Sequence, residues 1–248
     1  MGQGRDDEER RAELEGRLAA VRERIAAACA AAGRDPDQVE LMAVTKTVPA
    51  ADVATLLDLG LTLFGENRAQ EARAKVAEVA ALRPGARPRW HFIGGLQRNK
   101  AKAVVGWADR VESVDSARLA DALDRAAARA GEEGGRPGPL PVLLQYSVDG
   151  DPERGGVPAD GLLSLADHVA GCAALRLEGL MAVAPLAADP EAAFADIADA
   201  AARLRSACPA ASVLSAGMSG DLEVAIRHAS GVVRVGTALV GCRPLASL

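Results

Sequence analysis

Residues 41–67, LMAVTKTVPAADVATLLDLGLTLFGEN, decide the fold. Residues 41–48 form an apolar, β-rich run, Pro49 opens a segment of helical spacing that Gly60 closes, and residues 61–66 form a second apolar run. Short strands that are apolar on both faces and separated by a helix belong to a parallel sheet covered by helices. The pattern repeats along the chain. Strands are expected at 41–48, 61–66, 89–94, 110–114, 142–148, 177–183, 212–215 and 232–235. Between them, Ser116 and Asp189-Pro190 are helix-opening residues. Eight strands alternating with helices in 248 residues predict one α/β domain, a (β/α)8 TIM barrel.

Upstream of the repeat, residues 7–32 carry Leu14, Leu18, Val21 and Ile25 at helical spacing and stop at Gly33. An extra N-terminal helix within 1–34 is therefore expected to precede a barrel at 35–244. The glycine-rich stretches 131–139 and 149–158 read as loops around the fifth strand, since a lone strand between them cannot stand as a domain.

Nearly half the residues are hydrophobic (49%) and a quarter charged (25%), which suits a globular chain with a large core. A net charge of −5 argues against a broad basic surface for nucleic acid or anionic lipid. The start, MGQGRDDEERRAELEGR, is charged where a secretory signal needs an apolar segment, and no apolar run approaches the roughly 20 residues of a membrane span. A cytoplasmic protein is expected. Cys29, Cys172, Cys208 and Cys242 are too scattered to indicate a zinc site or a disulfide framework.

Only four of the 29 basic residues are lysines, and Lys46 sits in AVTKTVP near the carboxyl end of the first strand, where such barrels hold their sites. It is either a nucleophilic amine directed at an aldehyde or a lysine whose head reaches out to solvent. LSAGMSGD (214–221) offers the hydroxyls of Ser215 and Ser219 and the open amides of Gly217 and Gly220 at a helix start. That stretch is a phosphate cradle or an ordinary N-cap made by Ser219. VVRVGTA (232–238) puts Gly236 and Thr237 after the eighth strand, and loops after strands seven and eight frequently build phosphate sites in these barrels. Arg234, inside that apolar strand, is either half of a buried ion pair or a partner for a ligand's ring nitrogen.

FGENRAQE (64–71) supplies Asn67, which can bond a ligand ring, and Glu66, a possible helix cap; WHFIGGLQRNK (90–100) supplies His91, read as a satisfied core histidine. Met181 in GLMAVAP (179–185) is core packing or site lining. Arg98, Lys100 and Lys102 form a small basic turn that is otherwise a solvated helix face.

These ordered segments make the chain resemble the pyridoxal phosphate homeostasis proteins, small barrels similar to the amino-terminal domain of alanine racemase, over about 35–244. The resemblance implies pyridoxal 5′-phosphate as cofactor, with Lys46 forming its Schiff base. It implies phosphate binding by Ser215, Ser219, Gly236 and Thr237, Arg234 facing the pyridine nitrogen, and Asn67 and Met218 lying against the cofactor. Arg68 and Ala69, Ala216, and Tyr146-Ser147 depart from the family's usual residues, at the pocket rim and not at the Schiff-base lysine.

Racemisation on such a barrel needs a second acid/base, which alanine racemase takes from an added domain. With the sequence ending at Leu248 and Tyr146 as its one tyrosine, the expectation is a monomeric carrier that holds pyridoxal phosphate and delivers it to dependent apo-enzymes. An amino-acid racemase or decarboxylase is the alternative.

Overall fold

The computed structural model describes residues 2–241. Its elements run α1 (Gly2–Ala31), β1 (Glu40–Val44), α2 (Ala50–Asp58), β2 (Leu63–Glu66), α3 (Ala69–Leu82), β3 (Arg89–Phe92), α4 (Ala101–Val105), β4 (Arg110–Val114), α5 (Ala117–Glu132), β5 (Leu140–Tyr146), α6 (Leu162–Ala170), β6 (Leu175–Ala182), α7 (Pro190–Ala207), β7 (Val213–Ser215), α8 (Leu222–Arg227), β8 (Val232–Val235) and α9 (Thr237–Val240). The strands pair in sequence order, all parallel, and β8 closes on β1 with Met42 opposite Arg234. This is the (β/α)8 TIM barrel expected. Cys242 and the end of the expected barrel at 242–244 lie outside the described residues.

The register of each strand follows from burial on both faces: β2 and β8 are buried at every position. The expected first strand overran by four residues. Beyond Val44 the Thr45 amide still bonds the Gly65 carbonyl, but the Val48 amide bonds back to the Thr45 carbonyl, so residues 46–48 turn instead of pairing. The fifth strand starts two residues earlier than expected, at Leu140, and ends at Tyr146.

Helix α1 buries Leu14, Leu18, Val21, Ile25 and Cys29 along one stripe, against Leu56, Leu222, Ile226 and Leu239. Each such leucine contributes roughly 1.5–3 kcal/mol by leaving water. Gly33, at φ +64°, ends the helix in a conformation that only glycine adopts without strain. Polar clamps add to the apolar seam. Arg10 donates to Asp52 of α2 and to the Val240 carbonyl, and Arg24 donates to Glu223 and to the Ser219 carbonyl. The extra helix thereby braces the loop after β7 and the end of α9. No described helix is long and apolar enough to cross a membrane.

Candidate functional site

At the carboxyl end of the strands lies a cavity of about 410 Å³, within the range of small-molecule sites. Lys46, Asn67, Met218, Ser219, Arg234, Gly236 and Thr237 all line it, and so does Met181. Six segments distant in sequence, at the ends of β1, β2, β3, β6, β7 and β8, are brought to one mouth because each follows, or ends, a parallel strand.

Lys46 is not in the apolar strand itself. It stands exposed two residues beyond β1, where it lines the cavity. Opposite, the loop after β7 is shaped by Gly217 at φ +91°, where an added Cβ would fall 2.4 Å from that of Ala225. Asp221 occupies the N-cap position of α8, and its carboxylate accepts the Met218 amide of the preceding loop in place of a helix amide. The N-cap reading of Ser219 therefore fails. Ser219 and Gly220 face the cavity with amides that donate to no acceptor among the described residues. Gly236 and Thr237 close the same side. Helices α8 and α9 are only six and four residues long, so direct N–H and O–H donors, more than a helix dipole, suit this wall to an anion.

Ser215 is the expected site residue that the structure does not bring to the cavity. Its side chain is fully buried inside the barrel, donates to Glu112 Oε2 at 2.6 Å and accepts from Arg234 Nη1 at 2.9 Å. A hydroxyl so engaged has given its one proton away. It positions Arg234 instead.

That arginine is itself 4% exposed. Its Nη1 also donates to the Ser215 carbonyl at 2.6 Å and its Nη2 to the Ala182 carbonyl at 2.7 Å, leaving Nε–H and one Nη2–H without an acceptor among the described residues. Arg234 thus lines the cavity and is joined through Ser215 to the buried Glu112. Burial lowers its pKa from the ordinary guanidinium value, and the charges of Glu112 and Asp221 oppose that shift.

Glu112 is the residue that sequence reading missed. It is fully buried in β4, bonded to His91 Nδ1 at 2.6 Å and to Ser215. Burial alone would raise its pKa, but the His91 hydrogen bond and the charges of His91 and Arg234 outweigh that and hold it below the ordinary carboxylate range. The signal was present, an acid within the apolar strand RVESV, which is the same oddity that marks Arg234 in VVRV. His91 is the satisfied core histidine expected.

Glu66 caps no helix. It is buried and accepts from Thr45 Oγ1 at 2.7 Å and Lys75 Nζ at 2.7 Å, while Lys75 also donates to the Thr45 carbonyl. The residue before Lys46 is thus pinned from below. Asn67 Oδ1 is buried without a partner beside the cavity, and Gly94 packs so closely on Asn67 that a Cβ would lie 2.4 Å from its carbonyl oxygen.

Tyr146 points elsewhere. It is buried, donates to Asp196 of α7 at 2.8 Å, and is pushed up to about 12 by burial and by that acid. At the opposite end of the barrel a depression of about 860 Å³ contains Arg34 and Arg110, but both are already bonded, to main-chain carbonyls and to Glu178. Away from the cavity, Asp121, His168 and Cys172 bring ligand atoms within 4.8 Å of one another across α5 and α6, a grouping that the scattered cysteine spacing conceals.

The residues present fit pyridoxal phosphate: an amine, an anion-ready wall, a donor for a ring nitrogen and an orphaned amide oxygen share one cavity. Residues 17–244 match the family described as alanine racemase, N-terminal domain. The chain is 46% identical over 248 residues to the pyridoxal phosphate homeostasis protein of Mycobacterium bovis, covering 96% of each. It is 37% identical to that of Escherichia coli, covering 91% of this chain and 95% of the other. The structure of PipY from Synechococcus elongatus with PLP bound is similar at a TM-score of 0.78 and 34% identity, covering 92% of this chain and all of that one.

Proposed function

This chain belongs to the pyridoxal phosphate homeostasis protein family, and from that membership we propose that it binds pyridoxal 5′-phosphate reversibly and delivers it to cytoplasmic apo-enzymes. The observation that carries this reading is the convergence of Lys46, Ser219, Thr237 and Arg234 on one cavity. The cofactor supplies an aldehyde that an amine captures reversibly. Lys46 provides that amine from the exposed rim, where a captured group can also leave. The hydroxyls of Ser219 and Thr237 and the amides of Ser219 and Gly220 hold the phosphate. Arg234, a donor with no lone pair to offer, faces an unprotonated ring nitrogen, so the ring stays a weak electron sink. Asn67 and Met218 flank it.

Among the described residues lining the cavity, Lys46 and Arg234 alone are titratable. General acid/base catalysis on both faces of a substrate needs a second group of ordinary pKa, and Tyr146 is tied to Asp196. This favours a carrier over a racemase or decarboxylase. Among the described residues, the large exposed apolar side chains, Leu82, Leu163 and Leu186, stand on separate elements, which supports a monomer.

The test is spectroscopic. Protein incubated with pyridoxal phosphate is expected to gain a visible absorbance that borohydride fixes to the Lys46 peptide. Lys46→Ala is expected to lose that signal while keeping phosphate-driven binding weakened about tenfold or more. Wild-type protein that takes up no cofactor overturns the reading.

A further inference from the structure

We propose that the basic groove between α3, α4 and α5 is a docking surface for an acidic helix on the protein that receives the cofactor, an inference that rests on the carrier reading. The groove has a volume of about 910 Å³ and is lined by Arg73, Arg98, Lys100, Lys102, Arg125 and Arg129. Arginines elsewhere in this chain are mostly spoken for: Arg10, Arg24, Arg83, Arg89, Arg110, Arg154 and Arg227 all hold carboxylates. In the groove, Arg129 approaches Glu133 at 3.5 Å, while the other five form no ion pair or hydrogen bond among the described residues. A chain of net charge −5 thus concentrates unpaired cations on one face. Like charges held together repel, and an external anion relieves them.

The floor fits a helix. Ala103, Ala122, Ala126 and Ala130 leave room for a backbone to approach, and Trp107 adds partly exposed apolar surface to the groove. A single-stranded nucleic acid would want aromatic faces for its bases. Of the six aromatic residues, Phe64, Phe92, Phe194, Trp90 and Tyr146 are buried, so Trp107 is the one ring lining the groove, too few for a run of stacked bases.

Position links the groove to the cofactor. Lys100 borders both the groove and a smaller cleft, and that cleft shares Asn67 with the Lys46 cavity. A partner seated on the cations borders that cleft at the Lys100 end, and rim charges of this kind set association rate and salt dependence.

The probe is an aminotransferase of acidic pI stripped of its cofactor. Its fluorescence anisotropy against the cofactor-free protein measures docking, its regained activity after mixing with the loaded protein measures transfer, and hydrolysis by a phosphatase trap measures release into solution. Two triple variants are compared with wild type: Arg98, Lys102 and Arg125 each to Glu, and the milder set each to Gln. We expect docking and transfer to weaken about tenfold in the Glu set and less in the Gln set. Raising salt from about 50 to about 500 mM should slow wild-type transfer about fivefold. Loading absorbance and release into the trap stay within about twofold of wild type, the groove being outside the cavity. Transfer that equals release and ignores both variants and salt overturns the proposal, as does a groove that prefers a single-stranded RNA oligonucleotide to the aminotransferase. Salt-sensitive docking by a protein that never loads the cofactor refutes the carrier reading and leaves the groove standing.

Discussion

Arg234 reaches the cavity through a chain of bonds that crosses the barrel interior, from His91 on β3 and Glu112 on β4 to Ser215 on β7. Removing one member of a buried ion pair strands the other's charge. Glu112→Gln keeps shape and hydrogen-bonding capacity but removes the countercharge, and is expected to cost about 2–4 kcal/mol, read as a lower melting temperature at pH 7. The pH dependence follows from the direction of the shift. Because the folded pKa of Glu112 lies below the unfolded value, its stabilisation is present above the ordinary carboxylate range and is lost as pH falls through the folded value. Wild type should therefore lose more stability than Glu112→Gln on acidification from about pH 5 to about pH 3. Parallel melting curves for the two would refute the assignment. At this scale the sequence showed Lys46 and Arg234 because each was chemically out of place. It misdirected Ser215, whose hydroxyl faces the barrel interior and not the mouth, a matter of strand pleat and tilt.

Each element ends where local geometry overrides propensity. Strands β4 and β8 match the sequence expectation residue for residue, since they are bounded by charged or glycine-containing turns. β1 does not, because AVTKTVP remains apolar and β-branched after the chain has left the ladder. The loop after β7 depends on Gly217, which combines φ +91° with a Cβ position 2.4 Å from Ala225. Gly217→Ala should thus force the loop off α8 and displace Ser219. The expected outcome is a loss of about 2–4 kcal/mol in stability together with cofactor affinity weakened about tenfold, measured by absorbance titration. Unchanged affinity would mean that this loop does not hold the phosphate. The length of α1 was legible from its apolar spacing. Its clamp on the Ser219 loop through Arg24 was not, because that contact joins residues 195 positions apart.

For the molecule as a whole, the closed barrel gathers one amine and one guanidinium at the mouth and sends the lone tyrosine's hydroxyl to α7. A panel of free amino acids incubated with the loaded protein should racemise or decarboxylate far more slowly than about 1 s⁻¹, a rate within the ordinary enzymatic range. Turnover at or above that rate would reverse the carrier reading. The same preparation should scatter light as a particle near 25.5 kDa, and a dimer would place a second chain's residues in contention for the missing acid/base. By itself the sequence determined the barrel, through eight apolar runs at helical intervals, and the cofactor class through the resemblance that its ordered motifs carry to the pyridoxal phosphate homeostasis proteins. The tertiary structure alone decided that Ser215 and Glu112 serve Arg234, that Glu66 and Lys75 pin Thr45, and that scattered cations on α3, α4 and α5 share one groove. Those pairings depend on how side chains far apart in sequence are aimed when the sheet closes, and sequence spacing carries information about period but not about closure.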